Sequence, residues 1–269
     1  MTRWLHLILL LTTTVSALAD IRVQDDQGRE IRLASPATRI VTLAPHATEL
    51  ILAVGAGKNL VAVAQFHGYP DSLQHLPRLN TLGGLDREYL LETNPDLVIA
   101  WGSGNRPADL EWLKQTGIAV FVSEPGSLSD VASSLERLGQ LTGNREAGIR
   151  AANSFTHDLD TACSNRVSHL PIPTYFEIWP NPPMTIGNRH WLNEILQRAG
   201  LENVFSDVSR TVFTVNPESL MTRNIQALVT SQPLATRPIS PPGIYRASPE
   251  LSRPGPRLAH GLKALCQQM

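Results

Sequence analysis

RIVTLAPHATELILAVGAG, from Arg39 to Gly57, is the stretch that decides the fold. Ile40-Val41-Thr42-Leu43 is a short apolar run suited to a buried strand. Pro45 ends that strand, because its missing N–H cannot continue a ladder. Leu50, Ile51 and Val54 then recur at helical spacing, and Gly55 follows as a helix stop. The stretch therefore reads strand, loop, helix. Pro45-His46-Ala47-Thr48 forms the loop at the strand's carboxyl end, where open α/β sheets bind ligands. A second piece, LDREYLLETNPDLVIAW from Leu85 to Trp101, runs in the other order. It predicts a short helix, a break at Asn94-Pro95, and a strand over Leu97–Ala100 ending at Trp101.

Both pieces have echoes about 130 to 145 residues later, as an internal duplication would leave. Glu88, Leu90, Leu91 and Val98-Ile99 line up with Glu218, Leu220, Met221 and Leu228-Val229. Leu50-Ile51 followed by Gly55 is matched by Ile195-Leu196 followed by Gly200. Two similar α/β units imply a bilobal protein, and a cleft between lobes is a preferred place for a ligand.

A chain of 269 residues is long enough for two modest lobes with real cores. A formal net charge of −1 without a basic run argues against a nucleic-acid partner. The first nineteen residues are expected outside the fold, as a signal peptide. Arg3 supplies the positive region, Leu5 to Val15 an apolar stretch shorter than the roughly 20 residues of a membrane span, and Ala17-Leu18-Ala19 a cleavage site. No cysteine follows that site, so a lipoprotein is not indicated. The expected location is an oxidising, exported compartment. There Cys163 and Cys266 could form a disulfide. Two separate thiols are the alternative, because sequence does not supply a Cα distance.

The remaining chain predicts a first α/β lobe over residues 20–143, an inter-lobe helix over 144–168, and a second α/β lobe over 169–269. Each lobe is expected to hold a central, mostly parallel sheet flanked by helices. A β-hairpin (Ile21–Val23 with Ile31–Leu33) opens the first lobe. Ser127 and Asp130 read as a capping box. Aromatic residues fall in loops at expected strand ends: Phe66 and Tyr69, Trp101, and Trp179. In the second lobe Pro233, Pro238, Pro241 and Pro242 exclude the crossover helix that the first lobe has after Ala100. The connection can just close without it.

The segments APHATEL, NPDLVIAWGSGN and LSRPGPRLAHGL, in this order behind a signal peptide, resemble the periplasmic cobalamin-binding proteins of ABC importers. These belong to the helical-backbone class of substrate-binding proteins. The similarity runs from about Ile21 to Cys266. It implies a periplasmic, monomeric receptor with no cofactor of its own, a corrinoid as transported ligand, and an inner-membrane ABC permease as partner. It also implies that Phe66, with Tyr69, Trp101, Trp179 and Phe213, faces the ligand, together with Glu250, Leu251, Ser252 and Arg253 before the last helix. The position at which some members carry a tryptophan before the first docking helix falls at Leu82. Glu88 and Glu218 correspond to the surface glutamates that engage permease arginines.

The residues themselves fit such a ligand. A large, mostly planar ring needs a wide cleft walled by aromatic rings, with few charges. Some of these aromatics are expected in the core, and Arg253 or Arg257 either holds a ligand acid group or is solvated. Haem and siderophore receptors share the expected architecture. A metal-ion receptor would need three or four convergent ligands; His46 and His67 lie at suitable strand ends, His190 lies in the other lobe, and no third or fourth ligand is evident. Of these, His46 is also placed among the ligand-facing residues. An enzyme is the reading from another class. There is no G-x-S-x-G, no H-E-x-x-H and no phosphate-binding glycine loop, and Glu49 reads as a first-turn helix carboxylate.

Overall fold

A computed structural model of the chain describes residues 20–81, 83–164, 170–233 and 239–269. The expected signal peptide and the Leu82 position lie outside these residues.

In chain order the first part comprises β1 (Ile21–Gln24), β2 (Glu30–Leu33), β3 (Ile40–Thr42), α1 (Pro45–Ala53), β4 (Leu60–Ala64), β5 (Arg78–Leu79), α2 (Arg87–Glu92), β6 (Leu97–Trp101), α3 (Pro107–Gln115), β7 (Ala119–Ser123) and α4 (Leu128–Leu141). The connecting helix is α5 (Arg145–Thr161). The rest comprises β8 (Ile172–Glu177), β9 (Trp179–Pro180), β10 (Pro183–Ile186), α6 (Leu192–Arg198), β11 (Leu201–Asn203), β12 (Val212–Thr214), α7 (Pro217–Thr222), β13 (Ala227–Thr230), β14 (Gly243–Arg246) and α8 (Leu258–Cys266).

Two parallel sheets carry the two lobes. The first has strand order β5-β4-β3-β6-β7 and the second β11-β8-β13-β14. Removing edge strand β5 makes the orders equivalent, with β3 matching β8, β4 matching β11, and β6 matching β13. The duplication read from sequence is thus a duplication of topology. Strands covered by helices on both faces need continuous apolar runs, which Leu97–Ala100 and Ala227–Val229 provide at zero to 1% exposure. Two small antiparallel sheets complete the fold, the β1–β2 hairpin and a β12-β10-β9 sheet on the second lobe.

Local chemistry explains several boundaries. Gly55 follows α1 at φ 74° and Gly200 follows α6 at φ 63°, the left-handed turn that ends a helix without a Cβ clash. The capping box holds: Asp130 N–H donates to Ser127 Oγ at 3.1 Å, and Ser127 N–H donates to Asp130 Oδ2 at 2.9 Å. Pro45 does not open a loop. It is the first residue of α1, where a proline's fixed φ suits the helix and its missing N–H costs nothing. The expected loop Pro45–Thr48 is therefore a helical turn, and Glu49 lies beyond the first turn rather than in it.

The connecting helix is shorter than the expected 144–168. It ends at Thr161, and Cys163 just beyond is disulfide-bonded to Cys266 at the end of α8, with Cα atoms 5.6 Å apart. Where α5 crosses α4, a Cβ on Gly148 would stand 2.7 Å from the Leu135 carbonyl oxygen, so only glycine allows this approach. In the second lobe β13 pairs with β14 in parallel although no helix is found between them among the described residues. No described helix is long and apolar enough to cross a membrane.

Candidate functional site

The carboxyl ends of both sheets contribute side chains to the region where the lobes meet. From the first lobe come α1, the loop after β4 and the end of β6. From the second come the end of β8 and the segment before α8.

Charged side chains link the lobes directly. Arg253 lies beside Glu49 of α1, with Nε donating to Oε1 at 3.2 Å, and both side chains are nearly buried. Arg257 approaches the same oxygen at 3.8 Å and also pairs with Glu250. The Arg253 guanidinium covers the Phe66 ring, 4.5 Å from its centroid. A second link joins α6 to the start of α4, where Glu194 Oε1 accepts from Leu128 N–H at 3.1 Å. Burial raises the Glu49 carboxyl above the ordinary carboxylate range, against the pull of Arg253 and Arg257. The Gly255 backbone also comes close: a Cβ there would stand 2.8 Å from Glu49 Oε2.

The residues expected at the ligand divide into three groups. Phe66 and Arg253 meet across the lobes, as described. Leu251 and Ser252 line a cavity in the second lobe, while Leu251 is also 1% exposed and packs in the core. Glu250 faces Arg257.

A second group supports rather than lines. His46 is fully buried because it occupies the first turn of α1. Its Nε2 lies 3.2 Å from Ser123 Oγ, and its ring meets Trp101 edge-on at 5.3 Å. Burial, then the nearby Arg253 charge, lowers its pKa to about 3, so it is neutral at physiological pH. Trp101 is half-buried, lying against this ring and the Gly104 backbone. Tyr69 is 5% exposed; its hydroxyl is 3.0 Å from Thr48 Oγ and its ring supports Phe66 edge-on at 5.1 Å. His46 and Tyr69, both expected at the ligand, are drawn inward here by helix packing and by the Thr48 hydrogen bond.

A third group lies apart. Phe213 packs on Phe205, ring centroids 5.6 Å apart, in the cluster behind the second sheet. Trp179 is 49% exposed, with Nε1 donating to the Asn181 carbonyl. Sequence reasoning read Glu49 only as a helix carboxylate and so missed it as an inter-lobe group. Among the described residues no three metal-ligating side chains converge.

Glu88 and Glu218 are exposed on opposite lobes. Each is the second residue of its helix, α2 or α7, behind a side-chain cap from Asp86 or Asn216. Each helix leads into the corresponding strand of its sheet, β6 or β13.

A family profile described as periplasmic binding protein matches residues 40–245. The chain is 34% identical over 197 residues to a vitamin B12-binding protein of Vibrio cholerae, covering 73% of this chain and 71% of that protein. Among solved structures it is similar to the periplasmic vitamin B12 binding protein of Vibrio cholerae, with a TM-score of 0.77 and 30% identity over 87% of this chain and 96% of that one. A periplasmic heme-binding protein from Roseiflexus shares the fold at a TM-score of 0.72 and 22% identity, over 86% and 97% of the two chains.

Proposed function

The chain belongs to the periplasmic binding protein family, and from that premise we propose that it captures cobalamin or a related corrinoid in the periplasm and delivers it to an inner-membrane ABC permease. The observation that carries this reading is the identity with vitamin B12-binding proteins across most of both chains. The inter-lobe geometry supports it, since Phe66 brings an aromatic ring to the place where the lobes meet, beside Arg253. The family and the relatives are binding proteins, and this chain performs no chemistry on its ligand.

Delivery uses Glu88 and Glu218. One chain presents both, so the protein acts as a monomer against a two-fold symmetric permease, each carboxylate pairing with an arginine. Isothermal titration of the purified protein with cyanocobalamin, haemin and zinc chloride tests the ligand. One cyanocobalamin per chain is expected, with haemin at least about tenfold weaker and no heat from zinc. Tighter binding of haemin, or no binding of cyanocobalamin, overturns the reading.

A further inference from the structure

Two exposed apolar side chains, Leu91 on α2 and Met221 on α7, stand in matching places on the two lobes. They are 49% and 72% exposed. Each lies three residues beyond the exposed glutamate of its helix, Glu88 or Glu218, and residues at that spacing share one helix face. The match extends to their surroundings. Leu90 and Leu220, one position earlier, are both buried, and each packs in the cluster that holds the following strand, β6 or β13. Those strands begin at the same distance further on, at Leu97 and Ala227.

Folding does not account for this pair. A single leucine or methionine at a surface is ordinary and needs no explanation. Here a large apolar side chain recurs at one register of both halves, each time beside the same acid. The core anchor of each helix is already supplied by Leu90 or Leu220. The carboxylates are also uncommitted. The arginines nearest to them in sequence are engaged elsewhere, Arg87 with Asp109 at 2.9 Å and Arg223 with Asp207 at 2.9 Å. Glu88 and Glu218 have no ion-pair partner among the described residues. Each lobe thus presents one free carboxylate and, one helical turn along, one uncovered apolar side chain.

The combination has a physical use at an interface. An ion pair in open water gains little, because solvent screens it. An apolar side chain pressed against the partner beside that pair excludes the water and strengthens it. We propose that Leu91 and Met221 are contact residues of the docking surface. Each is covered by an apolar patch of the permease subunit that supplies the arginine for Glu88 or Glu218, and keeps water from that ion pair. The occupant is a two-fold symmetric membrane protein whose subunits each present an arginine beside apolar surface. A second copy of this chain fits poorly, since it would set carboxylate against carboxylate. The proposal rests on the delivery reading and deepens it, by adding the apolar half of the contact.

The test measures saturable binding of fluorescently labelled protein to spheroplasts of the bacterium that carries it, which expose the periplasmic face of the inner membrane. Ligand-free protein is used, so the result does not depend on which ring is carried. Leu91→Ser with Met221→Ser should weaken binding about tenfold, and either substitution alone about threefold. The exchange Leu91→Met with Met221→Leu keeps the apolar surface and should bind within about twofold of the unmodified protein. With Glu88→Gln and Glu218→Gln already in place, the two serines should cost less than about threefold, because no ion pair is left to shield. Thermal melts check that the variants fold; if the double serine variant melts low, the single ones decide. Full affinity of the serine variants, a tenfold loss in the exchanged variant, or an undiminished loss in the glutamine background overturns the proposal. The delivery reading then stands wherever the glutamine variant itself has lost affinity. Serines that abolish self-association in sedimentation but leave spheroplast binding intact assign the surface to a second copy and also overturn the proposal. No saturable binding of the unmodified protein removes both the proposal and the delivery reading.

Discussion

Arg253 and Glu49 are not equivalent partners, and replacing each in turn exposes the difference. Their side chains are 12% and 9% exposed, and the pair bridges the lobes at 3.2 Å. Removing one partner of a buried ion pair costs about 3–5 kcal/mol, because the other charge is left without compensation. Arg257, 3.8 Å from the same oxygen, remains in Arg253→Ala and holds the loss near the lower end. Loss of the guanidinium from the Phe66 face adds about 0.5–1 kcal/mol. Arg253→Ala should therefore cost about 3–4 kcal/mol, and at roughly 2–4 °C per kcal/mol lower the melting temperature by about 10 °C. Glu49→Gln should cost less than about 1 kcal/mol: the amide oxygen still accepts from Arg253, and the longer cation can turn toward solvent along its stem. The pH dependence separates the two further. Burial, the first cause, raises the Glu49 pKa above its ordinary 4.5, so at pH values between the unfolded and folded pKa the folded state holds a proton that the unfolded state has released. The contribution of this group is full below the unfolded value and falls as pH rises through the folded one, and Glu49→Gln removes that slope. Arg253→Ala should steepen it, with a larger loss at pH 8 than at pH 5. The assay is urea or thermal denaturation of ligand-free protein at both pH values. Glu49→Gln costing as much as Arg253→Ala, or no difference between the pH values in either protein, would refute the reasoning.

Phe66→Ala should remove about 1–3 kcal/mol of corrinoid binding with little change in ligand-free melting, measured by titration and calorimetry. Trp101→Ala should lower both, because that ring also covers His46; binding loss without loss of stability would contradict the supporting role. Glu88→Ala with Glu218→Ala should leave ligand affinity and folding intact but impair uptake, each lost pair weakening docking by about 1.5–3 kcal/mol. Transport at the unmodified rate under non-saturating receptor levels speaks against those positions. Cys163→Ser with Cys266→Ser opens a cross-link spanning 103 residues of sequence. Chain entropy puts its contribution near 4.7 kcal/mol for a loop of about this length, and a melting temperature unchanged by the double substitution would exclude a role in stability.

The sequence by itself determined the elements and their repetition. The Leu97–Ala100 run, the Ser127–Asp130 box, the stops at Gly55 and Gly200 and the paired glutamates all follow from interactions within about one helical turn or one strand. Such rules also place Phe66 and Trp101 at strand ends, but they do not set how far a side chain turns inward. Tertiary packing drew Tyr69 onto Thr48, moved Pro45 and His46 into α1, and sent Phe213 to the back of its sheet. It also brought Arg253 to a carboxylate 204 residues away, and gathered Glu177, His190 and Leu251 around one cavity. The physical reason is that burial and charge pairing between distant segments depend on how the two sheets close against α5 and α8, and no local spacing encodes that closure.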